Sequence, residues 1–343
     1  MEPATGVGLG RLSADAQDPD ESAGNVPRPQ YDLRAAIVRN PRSHRNRGTA
    51  PEACDAPNLL STAPRTREEL AAALADFAAQ GIDLLVIDGG DGTVRDVLSR
   101  GAPVFGKNWP KLIVLPKGKT NALAADLELP RRWPLAAALE AAPRARSVIR
   151  RPLLLERPDD EGWQAMGFIL GGGVFNAAID AGQVAHRFGA FQGFAVAVTA
   201  AFAVVQALFG VGRSPWRALY PMRLATAPEW RDLPHSNDSE SERRYACGLS
   251  TLERFPLGMR PFGNSGKGIK YLVIDAPLRR VVALVPSLLM GLDRPFLRRL
   301  GIHRGAADEL HVHLGSHFIL DGEDFPPGDY RIRLGPELHF LVP

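Results

Sequence analysis

Leu84-Leu85-Val86-Ile87-Asp88-Gly89-Gly90-Asp91-Gly92-Thr93 is a short apolar run that breaks abruptly into glycines and carboxylates. The four aliphatic residues read as a buried strand, and residues 93–99 beyond the glycines read as the start of a helix. A strand, a glycine-rich turn and a helix in that order make a place for an anion. Gly89, Gly90 and Gly92 let backbone N–H groups approach a phosphate with no Cβ in the way. The helix that follows presents its positive end. Asp91 can face a magnesium ion or orient a nucleotide, and Thr93 adds a hydroxyl.

Working outward, the same pattern recurs. Residues 111–115 form a third apolar run after 35–38 and 84–87, and Leu115-Pro116-Lys117-Gly118-Lys119-Thr120-Asn121 follows it. Gly118-Lys119-Thr120 suggests a P-loop. That motif needs a glycine at position 113, where Ile113 stands, so it is excluded. The loop still lies at the carboxyl end of a strand and opens a helix over 121–127. In an open α/β sheet that is where ligands bind. Lys117 and Lys119 can each neutralise phosphate charge. Thr66 and Glu69 form a capping box for a helix carrying Leu70, Leu74 and Phe77 on one face, with Gly81 past its end. The stretch 42–63 is polar and turn-rich and reads as a loop. Strands alternating with helices predict a parallel α/β layer.

Past residue 147 the pattern changes to short strands separated by Gly, Pro and polar turns, at 151–156, 165–170, 222–225, 246–250, 270–274, 311–314 and 331–334. This predicts an antiparallel, sandwich-like region. The division expected is a disordered tail over 1–30, an α/β domain over 31–147, a β-rich domain over 148–335 and a segment over 336–343 that returns to the first domain. Late in the chain stands Leu320-Asp321-Gly322-Glu323. If extended, it places Asp321 and Glu323 on one face, which suits a general base with a metal or proton partner.

Two apolar stretches bear on membranes. Residues 188–212 carry no charge, but Gln192, Thr199 and Gln206 recur every seventh position. That favours a buried helix with one polar edge over a span, and both readings stay open. Residues 281–300 place Leu288, Leu289, Leu292, Phe296 and Leu297 beside Arg294, Arg298 and Arg299. Such a helix packs on a core or touches a membrane surface.

Composition narrows the classes. The chain has 343 residues, 45% of them hydrophobic and 23% charged, so it can bury a sizeable core. The net charge of +3 suits an anionic partner without requiring one. No stretch interleaves aromatics with dense Lys and Arg, and no nucleic-acid motif is present, so a nucleic-acid partner is not expected. Two cysteines without metal or disulfide spacing, and no secretory leader at the start, predict a cytoplasmic protein, and the basic Arg294–Arg299 face predicts peripheral membrane contact.

Four segments, in order, resemble the diacylglycerol kinase and sphingosine kinase family. Asn40-Pro41-Arg42-Ser43 is similar to its Asn-Pro-x-Ser, and Gly89-Gly90-Asp91-Gly92-Thr93 to its Gly-Gly-Asp-Gly-Thr. Leu115-Pro116-x-Gly118-x-x-Asn121 is similar to its second glycine loop, and Asp321-Gly322-Glu323 to its late acidic motif. The resemblance implies an α/β nucleotide-binding domain and a β-sandwich with the active site between them. It implies ATP and Mg2+, with Asn40, Ser43 and the two glycine loops (Gly89–Thr93, Lys117–Asn121) on the nucleotide and Asp91 on the metal. Asp321 is then the general base, with Glu323 and Asp91 as further catalytic groups. The stretch Gly171-Gly172-Gly173-Val174-Phe175-Asn176 looks like the family's segment near the lipid, which puts Phe175 and Asn176 at the acceptor. The chain departs from the family at Lys119, Thr120, Ala122 and Asn176. Gly266-Lys267-Gly268 replaces the Asp-Gly of a structural magnesium site. The expected activity is transfer of a γ-phosphate to a lipid alcohol of diacylglycerol, sphingoid or ceramide type. A kinase of a soluble acceptor, like NAD kinase or phosphofructokinase, and a non-catalytic nucleotide or lipid sensor remain open. So does a homodimer.

Overall fold

The computed structural model describes residues 33–52, 58–176, 217–236 and 242–343. The 1–30 tail and the 188–212 stretch lie outside the described residues.

The first sheet has the order β2 (Leu59–Thr62), β1 (Ala35–Arg39), β3 (Leu84–Gly89), β4 (Lys111–Pro116), β19 (Leu338–Val342), β5 (Arg146–Arg150). All neighbours are parallel except β19 and β5. β1 and β3 are buried along their whole length, as aliphatic runs without polar alternation must be. Alternate residues feed two cores. Ala36, Val38, Leu85, Ile87, Leu112 and Val114 face α1 (Arg67–Ala79) and α2 (Asp91–Phe105). Ala35, Ile37, Leu84, Val86, Ile113 and Leu115 face Trp133 and α4 (Leu135–Ala141). The short α3 (Ala122–Asp126) lies between. Thr66 caps α1 by accepting from the Glu69 N–H, and Glu69 accepts from the Arg65 N–H. One expectation needs correction. The stretch 42–63 is not loop throughout, because β2 pairs with β1 in it.

The remaining strands form two antiparallel sheets. One has the order β10 (Arg231–Asp232), β9 (Tyr220–Thr226), β15 (Glu309–Leu314), β18 (Gly328–Leu334), β6 (Leu153–Arg157), β7 (Asp160–Gly167), and β11 (Arg243–Arg244) also pairs with β9. The other has the order β14 (Ile302–Ala307), β13 (Ile269–Ile274), β12 (Ala246–Ser250), β8 (Ile169–Gly173), β16 (Phe318–Leu320), β17 (Glu323–Phe325). Leu155, Leu224, Leu310, Val312 and Ile332 from the first pack on Leu170, Cys247, Leu249, Val273 and Phe318 from the second. This is the expected α/β layer joined to a β-sandwich. The outer face of the second sheet is covered by α5 (Arg279–Leu289) and α6 (Phe296–Arg299), through Val281, Leu288 and Leu297. No helix among the described residues is long and apolar enough to cross a membrane.

The run 165–170 is not one strand. β7 ends at Gly167 in one sheet and β8 begins at Ile169 in the other. The chain changes sheets at Phe168, and that break positions the site.

Candidate functional site

At the sheet switch two successive backbone N–H groups lose strand partners. Phe168 N and Ile169 N both donate to the Asp321 carboxylate, at 2.9 Å each. Asp321 and Gly322 have φ of 45° and 84° and close a two-residue hairpin between β16 and β17. Asp-Gly is the pair such a turn favours. The segment is therefore not extended, and Asp321 and Glu323 do not share a face. Asp321 turns to the strand break. Glu323, on β17, pairs with Arg67 and Arg95. Burial above all, with the nearby Asp91 charge, raises the Asp321 pKa against the two N–H donors and Arg95, and the net value is about 7. A carboxyl poised there suits a general base at neutral pH.

The two glycine loops meet backbone to backbone. A Cβ on Gly90 would lie 2.7 Å from Gly118 Cα. Asp91 ties them together, since its carboxylate accepts from Ala122 N at 3.0 Å and Leu123 N at 3.2 Å. Asp91 thus supplies the cap that α3 otherwise lacks, and burial raises its pKa. Asn121, with φ 52°, closes its own loop by bonding both ways to Gly118. Asn40 joins the first motif to the second, donating to Thr93 Oγ1 at 2.9 Å, and Ser43 lies 3.5 Å from the same oxygen. Lys117 pairs with Glu52 at 2.6 Å, and Glu52 in turn accepts from Leu135 N. Lys119 and Thr120 are exposed at the loop tip.

The Gly89–Thr93 turn stands between two cavities. Thr93 and Asn40 line one, of about 500 Å³, with Arg39, Arg42, Arg65, Thr66 and Arg67 on its walls. Asp91 and Asp321 line the other, of about 380 Å³, with Ile169, Leu170, Phe175, Phe262, Leu272 and Leu289. The first is polar and cationic, and the second is apolar with two carboxylates. Phe175 lines the second wall, and Asn176 turns to the His317 carbonyl.

Arginines are what the sequence reading missed. Arg67 follows the α1 cap, and Arg95 is buried on the core face of α2 between Val94 and Val97. A charged residue at a core position signals a partner, and that partner is Glu323.

Among the described residues no three His, Cys, Asp or Glu side chains gather to hold a metal ion. Magnesium on a nucleotide asks for less, one or two carboxylates besides phosphate and water. Asp91 and Asp321 line one cavity wall, and each oxygen that accepts one N–H keeps a second lone pair. The donors present fit such an ion.

An α/β layer whose strand ends carry two interlocked glycine loops, closed by a sandwich that brings in a carboxylate, defines a class of kinase-like protein. Residues 34–150 match the diacylglycerol kinase catalytic domain. Two solved structures from Bacillus anthracis str. Sterne, each described as a "putative diacylglycerol kinase", share the fold. One superposes with a TM-score of 0.63 at 15% identity, covering 91% of this chain and 97% of that one. The other gives 0.60 at 14% identity, with the same coverage. No curated protein sequence matches significantly.

Proposed function

We propose that the protein is an ATP-dependent lipid kinase. What carries the reading is the Gly89–Thr93 turn between a cationic polar cavity and an apolar cavity floored by Asp91 and Asp321. ATP lies on the side of Asn40, Thr93 and Arg67, with its γ-phosphate toward the glycine loops. A lipid alcohol occupies the apolar side. Asp321 accepts the hydroxyl proton. The oxygen bonds to the γ-phosphorus as the bond to the departing ADP oxygen breaks. Bound Mg2+ would supply charge neutralisation on the phosphates, and Asp91 is the group that would hold it. Arg95 and Arg67 fix Glu323 two residues from the base, so Glu323 positions the Asp321 hairpin. Positioning and neutralised charge account for most of such catalysis.

Purified protein incubated with labelled ATP and a panel of diacylglycerol, sphingoid and ceramide substrates should phosphorylate at least one of them. Phosphorylation of a soluble acceptor alone would instead favour the NAD-kinase-like reading, and ATP binding without transfer the sensor reading.

A further inference from the structure

Large apolar side chains exposed among the described residues are eight, and five of them fall in one region: Leu257, Leu278, Leu289, Met290 and Phe296. Leu257 is 89% exposed and Met290 67%. The corner formed by Leu257, Leu289 and Met290 is fixed. Arg260 N donates to the Leu289 carbonyl at 2.7 Å, which joins the 256–260 turn to the end of α5. The half-buried Arg304 caps that end, donating to Leu288 O at 2.8 Å and Leu292 O at 2.6 Å. Apolar tips held out by a braced helix end are not a relaxed surface, and they lack a cover within the described chain.

Charge selects the cover. Residues 278–300 carry the exposed Arg279, Arg280, Arg294, Arg298 and Arg299 against one carboxylate, Asp293. Leu289 also lines the mouth of the apolar cavity. We propose that this face, the Leu257 turn with α5 and α6, docks on an anionic phospholipid surface, with the apolar tips at the acyl boundary and the arginines on the headgroups. The inference rests on the lipid-acceptor reading of the cavity, and it adds how the acceptor arrives: docking sets the cavity mouth on the leaflet, so a lipid enters without crossing water. Neither signal suffices alone. Apolar tips give shallow, reversible binding, and each arginine near an acidic surface adds roughly fivefold.

The test is flotation of the full chain with vesicles of phosphatidylcholine, with and without phosphatidylserine. Binding is expected to the phosphatidylserine vesicles and to weaken as salt rises. Leu257→Ser with Met290→Ser, and separately Arg279→Glu with Arg280→Glu, should each lower partition at least tenfold, with circular dichroism and Tm unchanged. Because partition needs no turnover, it separates from the kinase reading. A water-soluble short-chain acceptor should be phosphorylated equally by wild type and both variants. Failure of wild type to bind phosphatidylserine vesicles, or equal partition of the variants, overturns the docking surface. Loss of short-chain turnover in wild type overturns the kinase reading instead.

Discussion

Asp321 is held by two N–H donors from a strand break, and its environment works against its charge. Burial and Asp91 favour the protonated form, and the donors and Arg95 favour the anion, with a net pKa near 7. A base is useful only when ionised, so kcat/KM should rise with pH and level off above an apparent pKa of about 7. Asp321→Asn should lower kcat by ~10²–10⁴-fold with ATP binding nearly unchanged, and should erase that limb of the profile. A variant that weakens ATP binding but spares kcat would make Asp321 a nucleotide or metal holder. The proposed base role draws mainly on the resemblance. Asp-Gly is first of all a turn signal, and the turn is what forms; the donors at Phe168 and Ile169 come from a sheet switch that no local pattern announces. Lys117 is of a type that suits a phosphate, and in the structure it pairs with Glu52.

The glycine loops behave as one element. Gly90 and Gly118 touch through bare backbone, and Asp91 bonds across to α3. A methyl at Gly90 must push the second loop aside, because the nearest atom is backbone Cα at 2.7 Å. Gly92 is different, since a Cβ there meets only the Arg95 guanidinium at 3.9 Å. Gly90→Ala should therefore cost about 1–3 kcal/mol of stability and most of the activity. Gly92→Ala should keep or raise Tm, being helical, while raising the KM for ATP if the N–H groups there meet phosphate. Urea unfolding and ATP titration of the two variants check this, and an unchanged KM for Gly92→Ala removes the backbone approach. The strands and helices flanking these loops were readable because aliphatic runs and caps are local signals. β2 was not, because Leu59-Leu60-Ser61-Thr62 is a half-polar edge strand amid turn residues, formed only by pairing with β1.

At the scale of the molecule the sandwich must be closed at its ends as well as through its core. β11 pairs with β9 in one sheet, and the chain passes directly into β12 of the other. Arg244 at that crossing pairs with Asp275 at the end of β13, and Asp275 also bonds His303 of β14 at 2.8 Å and Ser236 N at 2.8 Å. All three side chains are buried. Such a bridge depends on pairing between distant strands, so alternation showed that strands exist but not which ones the bridge would join. Burial alone would raise the Asp275 pKa, but the bonds from His303 and Ser236 and the Arg244 charge outweigh it and hold it at about 2. A carboxyl with a depressed folded pKa stabilises fully above its unfolded value near 4, and the contribution disappears as pH falls toward 2. Asp275→Ala leaves the Arg244 guanidinium buried without its counter-charge, a loss of about 3–5 kcal/mol. The gap between wild type and variant in urea unfolding should therefore be full at pH 6 and shrink steadily between pH 4 and 2. A gap that stays constant through that range would mean that Asp275 stabilises the sandwich by packing rather than by charge.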